Sequence, residues 1–552
     1  MPIDINRLRS AVVTCASCAG TAVTTTESIS RITTGDAMVY QKTGAGMAGL
    51  EAGATYYVSK EDNKTLCLYK TRADAIAGAN KLEVSGGAGD TLNKSGDADL
   101  VRESERRRFR DPGIVDKILD ADQKWIAGKY ELDERRRAVN KVQDAIKVKK
   151  KESKGQDPCT ELVAEKTALE QKIQEQEELV AQALTERDTL LHKVGNLVHD
   201  SVPVSKDEEK DNEIAALWGA PRIFSKYETN GNRPHFQVLA MLGAVEFEAG
   251  HQVAGHRGYF LTGPGVLLNQ ALINYGLTFT GKFGFKPVQP PFFMKKDLMG
   301  LAAELKDYDE VLYKVVESDT HPELDKYMIA TSEQPLTCFH MKQSIEPKEL
   351  PYRYCGVSSC FRKEAGSSGR DIRGIFRVHQ FEKVEQFVVC APEESWAEHD
   401  RMTTMAEEFY QSLDIPYRVV NIVSGELNDA AAKKFDLEAW FPGDDEGKGK
   451  YRELVSCSNT TDYASRAVET KFGFGADKAA APQFCHLLNS TLCATERALC
   501  CLVENYQTPT GLRVPRVLVP YMLGQEFIPY VNDVNGKPLP RAAAARAPAP
   551  AP

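Results

Sequence analysis

CFRKEAGSSGRDIRGIFRVHQFEKVE, residues 360–385, is the most informative stretch of the chain. It begins as a strand, passes through a Gly- and Ser-rich loop, and returns as a strand whose polarity changes at alternate positions. On that pattern Arg377, His379, Phe381 and Lys383 share one face, and Val378, Gln380, Glu382 and Val384 the other. Arg362, Arg370, Arg373 and Arg377 bracket the loop. A guanidinium is a planar fork of donors matched to phosphate or carboxylate oxygens, so this density predicts a polyanion site; an exposed, charge-laced hairpin is the alternative. Other phosphate loops are missing: GxxxxGK[ST] occurs nowhere, and no GxGxxG follows a strand at the start of a helix.

Around this stretch, residues 221 to about 540 read as one large unit. YRVVNIV (417–423) and KVEQFVVC (383–390) predict central strands, and SWAEHDRMTTMAEEFYQSL (395–413) an amphipathic helix. Mixed elements over this length fit an α/β or α+β catalytic domain. Beyond it, RAAAARAPAPAP (541–552) is an extended Ala/Pro-rich tail.

Upstream, Asp111-Pro112 and Asp157-Pro158 each place an acceptor before a proline, predicting two helix starts. The second helix carries Leu162, Leu169, Ile173, Val180, Leu184, Leu191 and Val194, a stripe narrow enough to be a helix–helix seam. With KKKESKGQD (149–157) as the turn, residues 112–199 form an antiparallel hairpin about 60 Å long at 1.5 Å rise per residue. Residues 101–154 hold 17 Lys and Arg against 11 Asp and Glu, and Lys147, Lys149, Lys150, Lys151 and Lys154 crowd the tip. Either this is a solvated coiled-coil surface or an arm that lies along an RNA backbone. SKDEEKDN (205–212) reads as the linker that closes it.

Residues 1–10 begin an ordered domain, whereas 11–93 are Gly-, Ala- and Thr-rich and predict flexible or marginally ordered chain, apart from strand-like ATYYVS (54–59) and TLCLY (65–69) and a short helical word, ADAIAGANKLE (73–83). Over all 552 residues, 69 basic side chains oppose 78 acidic ones, a net charge of −9 that excludes a surface devoted wholly to nucleic acid but not a basic stripe. Thirteen Cys are too few for a disulfide scaffold; Cys15 and Cys18 form a lone CxxC, and Cys355/Cys360 and Cys500/Cys501 lack zinc spacing. The sequence has no apolar run of membrane-spanning length, and its Met1-Pro2-Ile3-Asp4 start is not a signal peptide, so a cytoplasmic protein with no membrane partner is expected.

The word FRKE, the Gly-rich loop and the returning strand resemble the second signature motif of class II aminoacyl-tRNA synthetases, and residues 362–385 resemble seryl-tRNA synthetases of the eukaryotic cytosolic type. YMIATSEQP (327–335), YRELVSCSNTTDYASR (451–466), LLNSTLCATERALCCLVENYQT (487–508) and GFKPVQPPFFMK (284–295) agree with that family over residues 1–10 and 94–540. The resemblance implies an α+β fold: a mostly antiparallel catalytic sheet with flanking helices at 221–540, and an N-terminal tRNA-binding domain at 1–10 and 94–215 that carries the coiled-coil arm. It also implies the reaction, in which L-serine and ATP give seryl-adenylate and then a charged tRNA(Ser), with tRNA(Sec) a further candidate acceptor. Mg²⁺ is implied as cofactor and a homodimer as the assembly, with Pro291 at its interface.

Roles follow from the same resemblance. Arg362 bridges the serine carboxylate and the α-phosphate, and Arg377 and Arg497 clamp the γ-phosphate. Lys363 belongs to the ATP site, where Glu364 lies near the adenine amino group, Val378, His379, Gln380 and Phe381 form the nucleotide wall, and Phe381 stacks on the base. Glu453, Leu454, Val455 and Ser456 complete the ATP site, with Glu453 and Ser456 as metal ligands. Thr331, Ser332 and Glu333 form the loop that receives the α-amino group, and Glu385 and Thr491 address the serine hydroxyl, with Asn489 beside them. The family lacks residues 11–93, so these are an insertion: a lineage-specific surface domain or retained noncoding sequence. A ligase acting on a carrier protein would lose the arm, and a noncatalytic derivative would lose Arg362, Arg497 or Glu453; the sequence keeps all of them.

Overall fold

The computed structural model describes residues 11–540 apart from 20–21, 26–36, 42–46, 49, 52–53, 61–64, 71–74, 76–81, 83–84, 87–90, 95–97, 155, 225–231, 303–310, 365–372 and 474–482. The expectations for residues 1–10 and 541–552, and for most of the helical word at 73–83, lie outside the described residues. The chain divides into two compact units, one up to Leu197 and the other from Val198. Among the described residues, no helix is long and apolar enough to cross a membrane.

The first unit opens with β1 (Ala11–Ala19), β2 (Ala22–Thr25), β3 (Ala37–Gln41), β4 (Thr55–Lys60), β5 (Thr65–Tyr69) and β6 (Thr91–Lys94). They close a barrel in the order β1-β2-β5-β4-β3-β6; β4 and β5 match the strand-like words at 54–59 and 65–69, while the rest of the described part of 11–93 departs from the flexible chain its composition predicts. The reason is placement. Val23, Met38, Tyr40, Tyr56, Val58, Leu66 and Leu68 are buried together, mostly at alternate positions of their strands, which keeps one side of a thin ribbon apolar. The hydroxyls of Tyr40 and Tyr56 accept hydrogen bonds from the N–H groups of Met47 (2.7 Å) and Glu51 (2.9 Å), so large rings fill the core without an orphaned oxygen. Cys15 and Cys18 lie on β1.

Next come α1 (Ala98–Arg107) and the hairpin of α2 (Ile114–Glu152) and α3 (Thr160–Leu191). The helices start later than the Asp-Pro pairs predict. Asp111 and Asp157 each accept the N–H two residues on, from Gly113 and Cys159, at 2.8 Å, which turns the chain before the helix rather than capping it. Those bonds to the charged form hold both carboxyls below their ordinary pKa. At the base, Val101, Val115, Ile118, Leu191 and Val194 form a small core. Higher up, polar residues fill the gaps in the apolar stripe of α3. Gln176 donates to the Gly128 carbonyl at 3.3 Å, where a Cβ on residue 128 would lie 2.9 Å from Val180. Arg187 pairs with buried Asp122 at 3.2 Å and lies 4.8 Å from the Trp125 ring centroid.

The second unit is built on an eight-stranded sheet. Its strands and main helices are β7 (Glu213–Trp218), α4 (Pro264–Lys282), β8 (Lys286–Val288), β9 (Tyr352–Phe361), β10 (Gln380–Cys390), α5 (Ser395–Ser412), β11 (Tyr417–Asn421), β12 (Lys433–Phe441), β13 (Lys450–Asn459), β14 (His486–Ala494) and α6 (Thr495–Tyr506). The order is β8-β9-β10-β14-β13-β12-β11-β7, antiparallel throughout except for the parallel β8–β9 pair. β7 moves the start of this unit ahead of the predicted 221, because EIAALW pairs with β11 as the edge strand. Leu268 and Leu272 of α4, Met402 and Phe409 of α5, and Leu499 and Val503 of α6 pack against Val384, Val388, Leu437, Leu488 and Leu492 of the sheet. Phe381, Lys383 and Glu385 therefore stand on the opposite face of β10 from Val384 and Val388.

Candidate active site

On that opposite face, in the middle of the sheet, lies a pocket lined by Arg362, Glu364, Arg377, Val378, Phe381, Glu453, Leu454, Thr491 and Arg497. All nine were expected from the sequence. The strand that supplies Phe381 begins at Gln380, so the alternation predicted for 377–379 fails there: Arg377 and Val378 both line the pocket. The His379 Nδ1 instead lies 3.0 Å from the Tyr313 hydroxyl and 3.0 Å from the Arg362 carbonyl, and Gln380 is exposed. Lys363, Val455 and Ser456 do not reach the lining either.

Cations are arranged around aromatic rings. The Arg362 guanidinium lies 5.2 Å from the Phe381 ring centroid. Arg452 and Arg497 lie 3.9 and 4.9 Å from that of Phe376. Arg497 also pairs with Glu453 at 3.3 Å. The Glu453 side chain is about half exposed, and Arg497, Lys434 and Arg362 outweigh its partial desolvation, leaving its pKa below the ordinary value. The Arg377 Nε is buried without a hydrogen-bond partner among the described residues, 3.7 Å from Glu364. A buried donor left open in a cation-rich pocket suits an anionic ligand.

β12 and β13 bring oxygen donors together, since Asp436 is paired in register with Ser456 and Glu438 with Glu453. The Ser456 hydroxyl donates to Asp436 at 2.7 Å. Burial, with Glu453 and Glu438 nearby, pushes the Asp436 carboxyl up to about 7. No group of three or more His, Cys, Asp or Glu able to hold a metal exists among the described residues. Cys355 and Cys360 are free and buried, their thiols pushed up to about 11 by burial.

A second cluster adjoins the pocket. Glu385 of β10 faces Thr491 of β14 in register. Its Oε2 accepts from the hydroxyls of Thr331 (2.5 Å) and Ser332 (2.9 Å), and its Oε1 from the Lys383 ammonium (3.0 Å). Gly356 on β9 is required here, because a Cβ would lie 2.5 Å from the Ser332 Oγ. Asn489 donates to Glu333 at 2.6 Å. Burial and the charge of Glu385 push Glu333 up to about 7, against the opposing pull of Lys383 and Arg362. All six residues expected of the amino-acid pocket besides Arg362 (Thr331, Ser332, Glu333, Glu385, Asn489 and Thr491) thus meet in one connected group.

Residues 92–198 match the seryl-tRNA synthetase N-terminal domain, and residues 313–506 the class II core domain of tRNA synthetases for G, H, P, S and T. The cytoplasmic serine–tRNA ligase of Arabidopsis thaliana is 47% identical over 457 residues, covering 80% of this chain and 97% of the relative. The chain belongs to the seryl-tRNA synthetases. Its activity is therefore ATP-dependent ligation of serine to tRNA, as the sequence predicts. A crystal structure of the cytoplasmic serine–tRNA ligase of Naegleria fowleri in complex with AMP is similar with a TM-score of 0.70 and 48% identity over 80% of this chain and 97% of that one. The seryl-tRNA synthetase of Pyrococcus horikoshii, complexed with ATP, gives 0.70 and 37% over 79% and 98%. The cytoplasmic placement expected from the sequence agrees with the eukaryotic relatives' names. The barrel strands β1 to β5 lie outside both matched ranges.

Four lining residues were missed: Phe376, Lys383, Ala494 and Glu496. Phe376 and Ala494 carry no polar signal. Lys383 was legible as a member of the polar face of β10 but not as the counter-charge of Glu385. Glu496 is almost wholly buried, and both of its oxygens accept from the Glu382 N–H at 3.1 Å. That bond ties α6 to the strand carrying Phe381.

Proposed function

We propose that serine is activated where the two clusters meet, with Arg362 between the nucleotide pocket and the Glu385 group. The supporting observation is that Arg362 lies over Phe381 and is close enough to lower the pKa of Glu333 in the amino-acid cluster. Attack of the serine carboxylate on the α-phosphate forms a carboxyl–phosphorus bond and releases pyrophosphate, so Arg362 offsets the approach of two anions. Arg377 and Arg497 hold the departing phosphates, Phe381 stacks on adenine, and Glu364 meets its amino group. Transfer to the terminal ribose hydroxyl then releases AMP.

Mg²⁺ fits the hard oxygens of Glu453 and Ser456, because such an ion needs only one or two protein donors and completes its shell with phosphate and water. When bound it supplies positive charge beside the polyphosphate. The hairpin receives the tRNA, with tRNA(Ser) and tRNA(Sec) both eligible because the family reads the long variable arm rather than the anticodon. Charging assays with the two transcripts separate these acceptors. A homodimer is proposed at the β8 edge, where half-exposed Phe293 follows Pro291 and Val266 and Leu267 of α4 also reach solvent.

Glu385 and Thr491 accept and shape the serine hydroxyl in this reading. Glu385→Ala or Thr491→Ala should lower kcat/KM for serine by about 5- to 150-fold, corresponding to roughly 1–3 kcal/mol for an unsatisfied buried polar group, with the KM for ATP held. Pyrophosphate exchange at varied serine and ATP measures both. Equal losses for the two substrates would remove the hydroxyl assignment.

Glu333 pairs with the α-ammonium of serine. Burial and the neighbouring Glu385 push its carboxyl up to about 7, so lowering the pH protonates it and raising the pH ionises it. kcat/KM for serine should therefore rise through an inflection near pH 7, and Glu333→Gln should remove that inflection while weakening serine. A flat wild-type profile between about pH 6 and 8 would contradict the pairing.

A further inference from the structure

We propose that Lys383 is a positioning residue for serine, pinning Oε1 of Glu385 so that this carboxylate stays an anionic acceptor aimed at the substrate hydroxyl. The inference rests on the assignment of Glu385 to that hydroxyl.

The two residues lie two positions apart on β10, so their side chains leave the same face. The ammonium sits 3.0 Å from Oε1, with side-chain exposures of 7% for Lys383 and 1% for Glu385. Oε2 is already taken by the hydroxyls of Thr331 and Ser332. Donation from Lys383 alone leaves Oε1 with a second lone pair. A serine hydroxyl entering beside Thr491, the cross-strand neighbour, finds that lone pair oriented and charged. An ion pair so enclosed is costly to break, because the remaining carboxylate would be buried without a counter-charge.

The other charged groups facing this carboxylate reinforce the argument. Glu333, on the short helix Glu333–Thr337, raises the cost of a second negative charge, and Arg362, at the end of β9, offsets it. The Cys355 and Cys360 thiols of β9 are neutral at physiological pH. Arg362 is also required by the carboxylate and phosphate of the reactants, whereas Lys383 makes its one side-chain ion pair among the described residues with Glu385. The amino acid is thereby read by a carboxylate with its own dedicated cation. An alanine in the same place would leave the oriented acceptor unused, which is the strong form of discrimination against a substrate lacking a hydroxyl.

The test is serine-dependent pyrophosphate exchange by the full chain carrying Lys383→Met, Lys383→Arg, Glu385→Gln or the Lys383→Met/Glu385→Gln pair. Lys383→Met should lower kcat/KM for serine by about 10- to 100-fold, mainly through KM, with the KM for ATP within about twofold. Its rising pH limb should move upward, since the Lys383 ammonium is one of the charges that lower the pKa of Glu333. Lys383→Arg should keep most of the wild-type value. In the Glu385→Gln background, Lys383→Met should add less than about threefold, because its effect passes through Glu385. If Lys383→Met does not fold, Lys383→Gln carries the same expectations. Wild-type serine KM in Lys383→Met, or a full additive loss in the pair, would overturn the inference while leaving the hydroxyl assignment standing. An unchanged serine KM in Glu385→Gln would instead remove that assignment.

Discussion

Excising the distal hairpin, residues 124–184, and closing the gap with a short Gly-rich turn should leave serine-dependent pyrophosphate exchange near wild type while tRNA charging falls by about 100-fold or more. The deletion keeps Val101, Val115, Ile118, Leu191 and Val194, so the base of the hairpin retains its core. At 1.5 Å per residue α2 is about 58 Å long and α3 about 48 Å. Most of this length buries only a narrow seam and presents charged faces to water. Lys147 and Lys149 are paired with Asp144 and Asp157, while Lys150, Lys151 and Lys154 have no acidic partner among the described residues. Replacing Lys149, Lys150, Lys151 and Lys154 by Gln should give a milder loss. It should be confined to tRNA affinity, with the salt dependence shallower by about one unit per phosphate contact removed. Charging at wild-type rates by the shortened chain would disprove tRNA recognition by the hairpin; equal loss of exchange and charging would mean that it supports activation as well.

The second large effect concerns Arg362. Arg362→Ala should reduce the rate of pyrophosphate exchange by about a thousandfold, the scale seen when a donor aimed at developing phosphoryl charge is removed. Its guanidinium is fixed by the Phe381 ring and by a 3.4 Å bond from Nε to the Ala330 carbonyl, so its placement precedes substrate binding. Arg362→Lys should recover little, because a point charge lacks the fork needed to meet a carboxylate and a phosphate together. Thermal melting should stay near wild type, since the side chain forms no buried ion pair among the described residues. Exchange within about tenfold of wild type would show that the bridging role belongs elsewhere.

The catalytic sheet was legible because its strands are apolar words with polar residues at fixed alternations, and because Arg, Glu and Phe in residues 360–385 occupy positions whose chemistry is specific. What escaped has a common physical cause. In the barrel, Met38 and Tyr40 are a pair of inward residues set in Gly, Ala and Thr, too few for composition to register. In the hairpin, Gln176 and Arg187 occupy buried seam positions that an apolar pattern reads as gaps; their partners, the Gly128 carbonyl and Asp122, lie on the other helix. At the strand entry, residues 373–379 form turns rather than pleated strand, so alternation could not sort Arg377 from Val378. Lys383 shows the remaining limit: strand periodicity gives its face, but only the 3.0 Å contact shows that it belongs to Glu385.

Activation of serine in the β10 pocket and its delivery to tRNA should both belong to this one chain. This is tested most directly by charging tRNA(Ser) with equimolar mixtures of radiolabelled serine, alanine, threonine and glycine, using the full chain with ATP and Mg²⁺. Serine should be the amino acid esterified, with alanine and glycine excluded by the unsatisfied Glu385 cluster and threonine by its extra methyl group. Esterification of alanine at a rate comparable to serine, or serine activation without transfer to tRNA(Ser), would contradict this assignment.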